Sequence, residues 1–153
     1  MDIFGHMPDG EPVGAVEISG GGLKATILSF GSLLHDLRLK GHDAPLVLGY
    51  ADIQGHLPPS PYLGANCGRS INRIRNGALT IDGKNYQLDR NYLGKHNLHG
   101  GVNGIGARNW KFVAVSKDEA VLEIRCPDGN MGFPGNLDAR ATYRLTGKGV
   151  LSV

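Results

Sequence analysis

Apolar residues recur along this chain in short runs, alternating or continuous, and most runs are closed by Gly, Asp, Asn or Pro. Alternation with a period of two marks a strand with one buried face. On that pattern strands are predicted over residues 13–18, 23–30, 33–39, 46–48, 79–81, 86–88, 110–115, 120–125, 137–145 and 150–153. Nowhere does a 3.6-residue period persist long enough to predict a substantial helix. The sharpest turn signal is Asp82-Gly83, set between Leu79-Thr80-Ile81 and Lys84-Asn85-Tyr86. Asp-Gly supplies the positive backbone angles that a two-residue primed turn requires. Lys117-Asp118-Glu119 and Gly147-Lys148-Gly149 predict two further turns. Many short strands joined by turns predict an all-β fold, an antiparallel β-sandwich or barrel.

Two stretches break this rhythm. His56-Leu57-Pro58-Pro59-Ser60-Pro61-Tyr62 is proline-dense and predicts a surface loop. Residues 91–107 are rich in Gly, Asn and His, and long for a plain hairpin connection. Loops of that length in a β domain are more often functional than idle. There is no internal repeat. Val150-Leu151-Ser152-Val153 reads as a strand without a polar cap, as a chain cut inside a larger sheet would.

Bulk properties narrow the partners. A length of 153 residues is one domain or part of one. Glycine, 24 of 153, is roughly twice its average usage and falls singly or in pairs, as turns and bulges do. A net charge of +2, evenly spread, argues against nucleic acid or an anionic membrane as partner. Cys67 and Cys126 lack metal-type spacing, which predicts two free thiols and neither a disulfide framework nor a zinc site. Residues 1–14 lack the basic and apolar segments of a secretory signal, and no apolar run approaches a membrane span. The expectation is a soluble, cytoplasmic protein.

The candidate chemistry lies between Gly64 and Gly101. Arg73 offers a planar fork of donors, and Asn72 adds an acceptor and two more donors, a pairing that orients sugar hydroxyls without demanding a charged ligand. The plainer reading makes Arg69, Arg73 and Arg75 solvated strand-edge residues and Asn72 a turn former. His99 precedes Gly100-Gly101, and glycines there would let backbone approach a ligand and leave the imidazole open. An imidazole near neutrality can donate to or accept from a sugar oxygen. The plainer alternative is a loop histidine with no ligand. His96 and His99 stand three apart, but no third residue completes a metal set. Asp128, in Pro127-Asp128-Gly129-Asn130-Met131-Gly132-Phe133-Pro134-Gly135-Asn136, reads as part of a structured turn. Asp82 belongs to its hairpin and Asp89 to a strand end. The residues alone support a polyol-binding β domain.

Six segments, in order, resemble the aldose 1-epimerases, also called galactose mutarotases. Phe4-Gly5…Pro8-Asp9-Gly10…Val13 resembles the approach to the family's first strand. Phe30-Gly31-Ser32-Leu33-Leu34 resembles its YGA turn, and Leu46-Val47-Leu48-Gly49-Tyr50 its DVVLGF strand. Gly68-Arg69…Asn72-Arg73-Ile74 is similar to GR..NRI, and Leu98-His99-Gly100-Gly101 to LHGG. Asp128-Gly129…Gly132-Phe133-Pro134-Gly135-Asn136-Leu137, with Thr142-Tyr143-Arg144-Leu145-Thr146, is similar to DG..G.PGNL…TYTLT.

The resemblance implies a galactose mutarotase-like supersandwich and interconversion of the α and β anomers of free hexoses, galactose or glucose, with no cofactor and no metal. It implies that Asn72 and Arg73 bind substrate, and that His99 both binds it and takes part in catalysis. The family's principal acid, a second histidine in an NHxYFNL-like motif, its glutamate base and a substrate-binding aspartate have no counterpart in residues 1–153. The chain thus reads as the N-terminal part, truncated, of a single aldose 1-epimerase domain over residues 1–153. A non-catalytic carbohydrate-binding module is the alternative, and exposed sheet edges would allow self-association.

Overall fold

The computed structural model describes residues 1–57 and 62–153. Of the proline-dense run expected as a surface loop, residues 58–61 lie outside the described residues. Four consecutive strands, β1 (Asp2–His6), β2 (Pro12–Gly20), β3 (Leu23–Leu28) and β4 (Leu33–Leu39), form an antiparallel meander in the order β1-β2-β3-β4. A four-residue helix follows, α1 (Ile53–His56), capped by the Asp52 carboxylate, which accepts from the Gly55 N–H at 3.1 Å. Two short pairs come next. β5 (Arg73–Ile74) joins β8 (Asn97–Leu98), and β6 (Ala78–Ile81) joins β7 (Lys84–Gln87). The chain ends in a second meander of β9 (Lys111–Val115), β10 (Glu119–Cys126), β11 (Leu137–Thr146) and β12 (Val150–Ser152), ordered β12-β11-β10-β9.

The second meander shows why alternation makes a sandwich. Ala120, Leu122, Ile124 and Cys126 of β10 and Tyr143 and Leu145 of β11 point inward. They share one core with Val16, Ile18, Leu23, Ala25 and Ile27 of the first meander, completed by Ile105 and Trp110. Burying each of the larger ones favours folding by about 1.5–3 kcal/mol. On the outward face the register sets Glu119 opposite Arg144, Glu123 opposite Arg140 and Arg125 opposite Asp138, and each pair closes an ion pair. These pairs are exposed and worth at most about 1 kcal/mol each, yet they fix the face that stays wet. A second cluster of Val13, Leu28, Phe30, Leu33 and Ile53 seats α1.

Most expected elements are present, with changed ends. Asp82 and Gly83 have φ of 49° and 75°, both positive as a type I′ turn requires. Ser116 carries the next turn: its hydroxyl accepts from the Glu119 N–H at 3.1 Å, so β10 starts at Glu119. The strand expected over 46–48 is absent; Leu46 donates one backbone bond to Leu37 O (2.8 Å), with Pro45 before it and Gly49 after. Leu46 and Leu48 are exposed, so that apolar run had no sheet to join. β1 was not expected, because Asp2–His6 lacks alternation and is ordered by pairing with β2. No helix among the described residues is long and apolar enough to cross a membrane.

Candidate functional site

The β5–β8 pair builds the site. Its register sets Arg73 opposite Leu98, so the flanking residues Asn72 and His99 meet. The His99 N–H donates to Asn72 O at 3.0 Å, and the Asn72 N–H donates to His99 Nδ1 at 3.1 Å. Both residues are held at positive φ, 59° for Asn72 and 51° for His99. Asparagine tolerates that region readily and histidine less so; strain of this kind persists only where neighbouring bonds over-determine it. Arg73 Nη1 donates to Asn72 Oδ1 at 2.7 Å, and the guanidinium carbon stands 4.4 Å from the Tyr92 ring centroid. On the other flank the Tyr62 ring lies 4.8 Å from that of His99. The structure thus brings Asn72, Arg73 and His99 into one row, with Asn72 and Arg73 exposed and His99 half-buried.

The electrostatics of the row fix the state of its imidazole. Burial, and then the charge of Arg73, hold His99 below the ordinary histidine value of 6.5, so it is neutral at neutral pH. With Nδ1 occupied in accepting a backbone proton, the ring proton sits on Nε2. The row therefore offers an imidazole N–H and a guanidinium fork, and among the described residues no carboxylate bonds to it. Such a surface donates to oxygen.

The glycines after His99 make close contacts within the chain itself. Gly100 and Gly101 have φ of 86° and 102°, and a Cβ on Gly100 would collide with the carbonyl of Gly68. A Cβ on Gly101 would lie 2.8 Å from Met131 Cγ. Gly100 thus permits close approach of the chain's own 68–69 backbone over the histidine loop, and Gly101 that of the Met131 side chain. His96 turns elsewhere: its Nδ1 accepts from the Asn76 N–H at 3.0 Å. Among the described residues no group of three or more His, Cys, Asp or Glu could hold a metal.

Several residues that set this geometry were not identified from sequence. Asn91 grips Leu98 from both sides, donating to its carbonyl at 2.9 Å and accepting from its N–H at 2.8 Å. Asn97, fully buried, donates to Asp89 O at 3.0 Å, and Asp89 Oδ2 accepts from the Val102 N–H at 2.8 Å. Asp89 thus closes the histidine loop. Asparagines at both ends of an irregular segment were the available signal, since an amide can replace both halves of a missing backbone pair. Arg69 is no solvated edge residue. It donates to Cys126 O (3.2 Å), Pro127 O (3.1 Å) and Pro134 O (2.8 Å), pinning the 127–136 turn beside the site. That turn is structured as expected, Asp128 accepting from the Gly135 N–H. Glu119 and Glu123 are spent in the outward ion pairs.

The aldose 1-epimerase family profile matches residues 14–153. The galactose mutarotase of Rattus norvegicus is 37% identical over 151 residues, covering 95% of this chain and 43% of the relative. The human galactose mutarotase is 36% identical over 149 residues with the same coverage. The aldose 1-epimerase of Escherichia coli K12 is 33% identical over 150 residues, again covering 95% and 43%. Among solved structures, the GalM/aldose epimerase homologue from C. elegans superposes with a TM-score of 0.79 at 35% identity, covering 88% of this chain and 42% of that one. The galactose 1-epimerase from Lactobacillus acidophilus NCFM gives 0.78 at 25% identity, covering 94% and 43%. The chain therefore spans less than half the length of the relatives it matches. By its motifs, its all-β architecture and these matches, the chain belongs to the aldose 1-epimerase family.

Proposed function

We propose that this chain is the N-terminal part, residues 1–153, of a single aldose 1-epimerase domain and supplies the hexose grip of its site. The observation that carries this is the row itself: Asn72 and His99 locked by reciprocal bonds, with Arg73 anchored beside them. The names of the relatives, galactose mutarotase and aldose 1-epimerase, supply the reaction. In it a base removes the proton from the anomeric hydroxyl as an acid protonates the ring oxygen. The bond from C1 to the ring oxygen breaks and C1 becomes a carbonyl. Rotation and reclosure on the other face return both protons. The His99 Nε2–H would donate to a substrate oxygen and polarise it, while Asn72 and Arg73 hold hydroxyls. No metal or cofactor enters this chemistry. The cytoplasm is the compartment we assign, in keeping with two cysteines that stay free.

Among the described residues the row bonds to no carboxylate, which favours a second reading, a carbohydrate-binding module without turnover. Polarimetry on freshly dissolved α-D-galactose, paired with a galactose titration, tests both. For the 153-residue chain the expected result is saturable binding, weakened about 10- to 100-fold in Arg73→Ala by loss of charge-assisted hydrogen bonds. Faster mutarotation than buffer is expected only from a protein that also carries the family's acid and base. Acceleration by this chain that Arg73→Ala abolishes would establish the epimerase outright. If galactose neither binds nor mutarotates faster, both readings fail.

A further inference from the structure

Arg73 is exposed, carries a long side chain and makes no ion pair among the described residues, yet it is held at two points. Asn72 Oδ1 takes Nη1 at 2.7 Å, and the face of the Tyr92 ring sits 4.4 Å from the guanidinium carbon. Tyr92 is itself immobilised. Its N–H donates to His96 O at 3.0 Å and its carbonyl accepts from the His96 N–H at 2.9 Å, closing a small loop. The neighbouring Asn91 anchors that loop to Leu98, directly before His99.

Building on the hexose-grip reading, we infer that Tyr92 is a positioning residue, its ring holding the Arg73 guanidinium in the orientation that faces the sugar. An arginine fixed between a π face and an amide oxygen gives up little rotamer freedom when it binds, and its remaining N–H groups point in one direction. The same arrangement keeps a positive charge near His99, which contributes to holding that imidazole neutral. Tyr92 thus acts on both ends of the row through its contact with Arg73.

The test is an NMR titration of the His99 ring in the wild-type chain and in Tyr92→Leu, Tyr92→Phe, Arg73→Met and the Tyr92→Leu/Arg73→Met double variant, with galactose affinity measured alongside. Tyr92→Leu is expected to release Arg73, so the His99 midpoint rises toward that of Arg73→Met, and galactose affinity falls roughly two- to fivefold. Tyr92→Phe keeps the ring and retains the wild-type midpoint. In the Arg73→Met background, Tyr92→Leu adds nothing. A His99 midpoint unmoved by Tyr92→Leu, or moved as far when Arg73 is absent, overturns the inference. Failure of Tyr92→Leu to fold overturns it too, since the ring would then be a structural element. The titration needs no sugar, so a chain that binds no galactose defeats the hexose reading and leaves the hold of Tyr92 on Arg73 to be decided separately.

Discussion

Two histidines away from the row carry a pH dependence of their own. His35 and His56 stand 5.4 Å apart between ring centroids, with Phe4 packed against both and Tyr50 against His56. Burial pushes both below 6.5; the neighbouring His35 lowers His56 further, opposed by the backbone of Tyr50 and by Asp52, while Asp36 opposes the shift on His35. The folded state therefore takes up protons at these sites less readily than the unfolded chain. Above the unfolded value near 6.5 neither state is charged and nothing is lost. Below it the unfolded chain protonates first, so stability falls as the pH drops through the folded values. Thermal melts between pH 7.5 and pH 5 (an interval of roughly one to two units either side of the ordinary value) should show a steeper loss for wild type than for His56→Phe, which keeps the ring packing without the proton. Equal slopes would count against the pair as the source.

At the scale of elements, what could be read depended on whether a segment's order comes from its own pattern. Residues 33–39 alternate, and β4 spans them unchanged; Asp-Gly demanded a primed turn and made one. β5 and β8 are two residues each, too short to carry any period, and they are ordered by Asn91, Arg69 and the closely packed glycines. Asn72, Arg73 and His99 could be nominated from the sequence, but the side chains that hold them in one row could not, because amide-to-backbone bonds follow no spacing rule. Arg69 shows how far such a residue reaches, tying the end of β10 and the 127–136 turn to the start of the site. Arg69→Met should preserve both meanders while freeing that turn, at a cost of about 1–3 kcal/mol from carbonyls left unpaired. Hydrogen exchange would show it: faster exchange at Gly129–Gly135 with β10 and β11 protected. Protection unchanged at the turn would mean that its internal bonds suffice.

Across the whole molecule, the sheet edges differ in how they meet solvent. β12 is three residues long, and β4 carries Asp36 and Arg38, both features that discourage pairing with another chain. β9 lacks that protection beyond Lys111, leaving Val113 and Val115 41% and 53% exposed on its free side. Self-association through β9 is the expected behaviour at micromolar concentration in size-exclusion chromatography, suppressed by Val115→Lys. A wild-type monomer there would exclude it. The order of strands has a further consequence, for time. Each four-stranded sheet is a run of sequence neighbours that can zip from local hairpins, whereas the segment bearing Asn72, Arg73 and His99 lies between the two runs and is tethered to both. Its bonds to the two meanders can close only once both are in place. The row should be the last part of the molecule to assemble and the first to let go, so that the environment of His99 reports whether the two halves of the sandwich are joined.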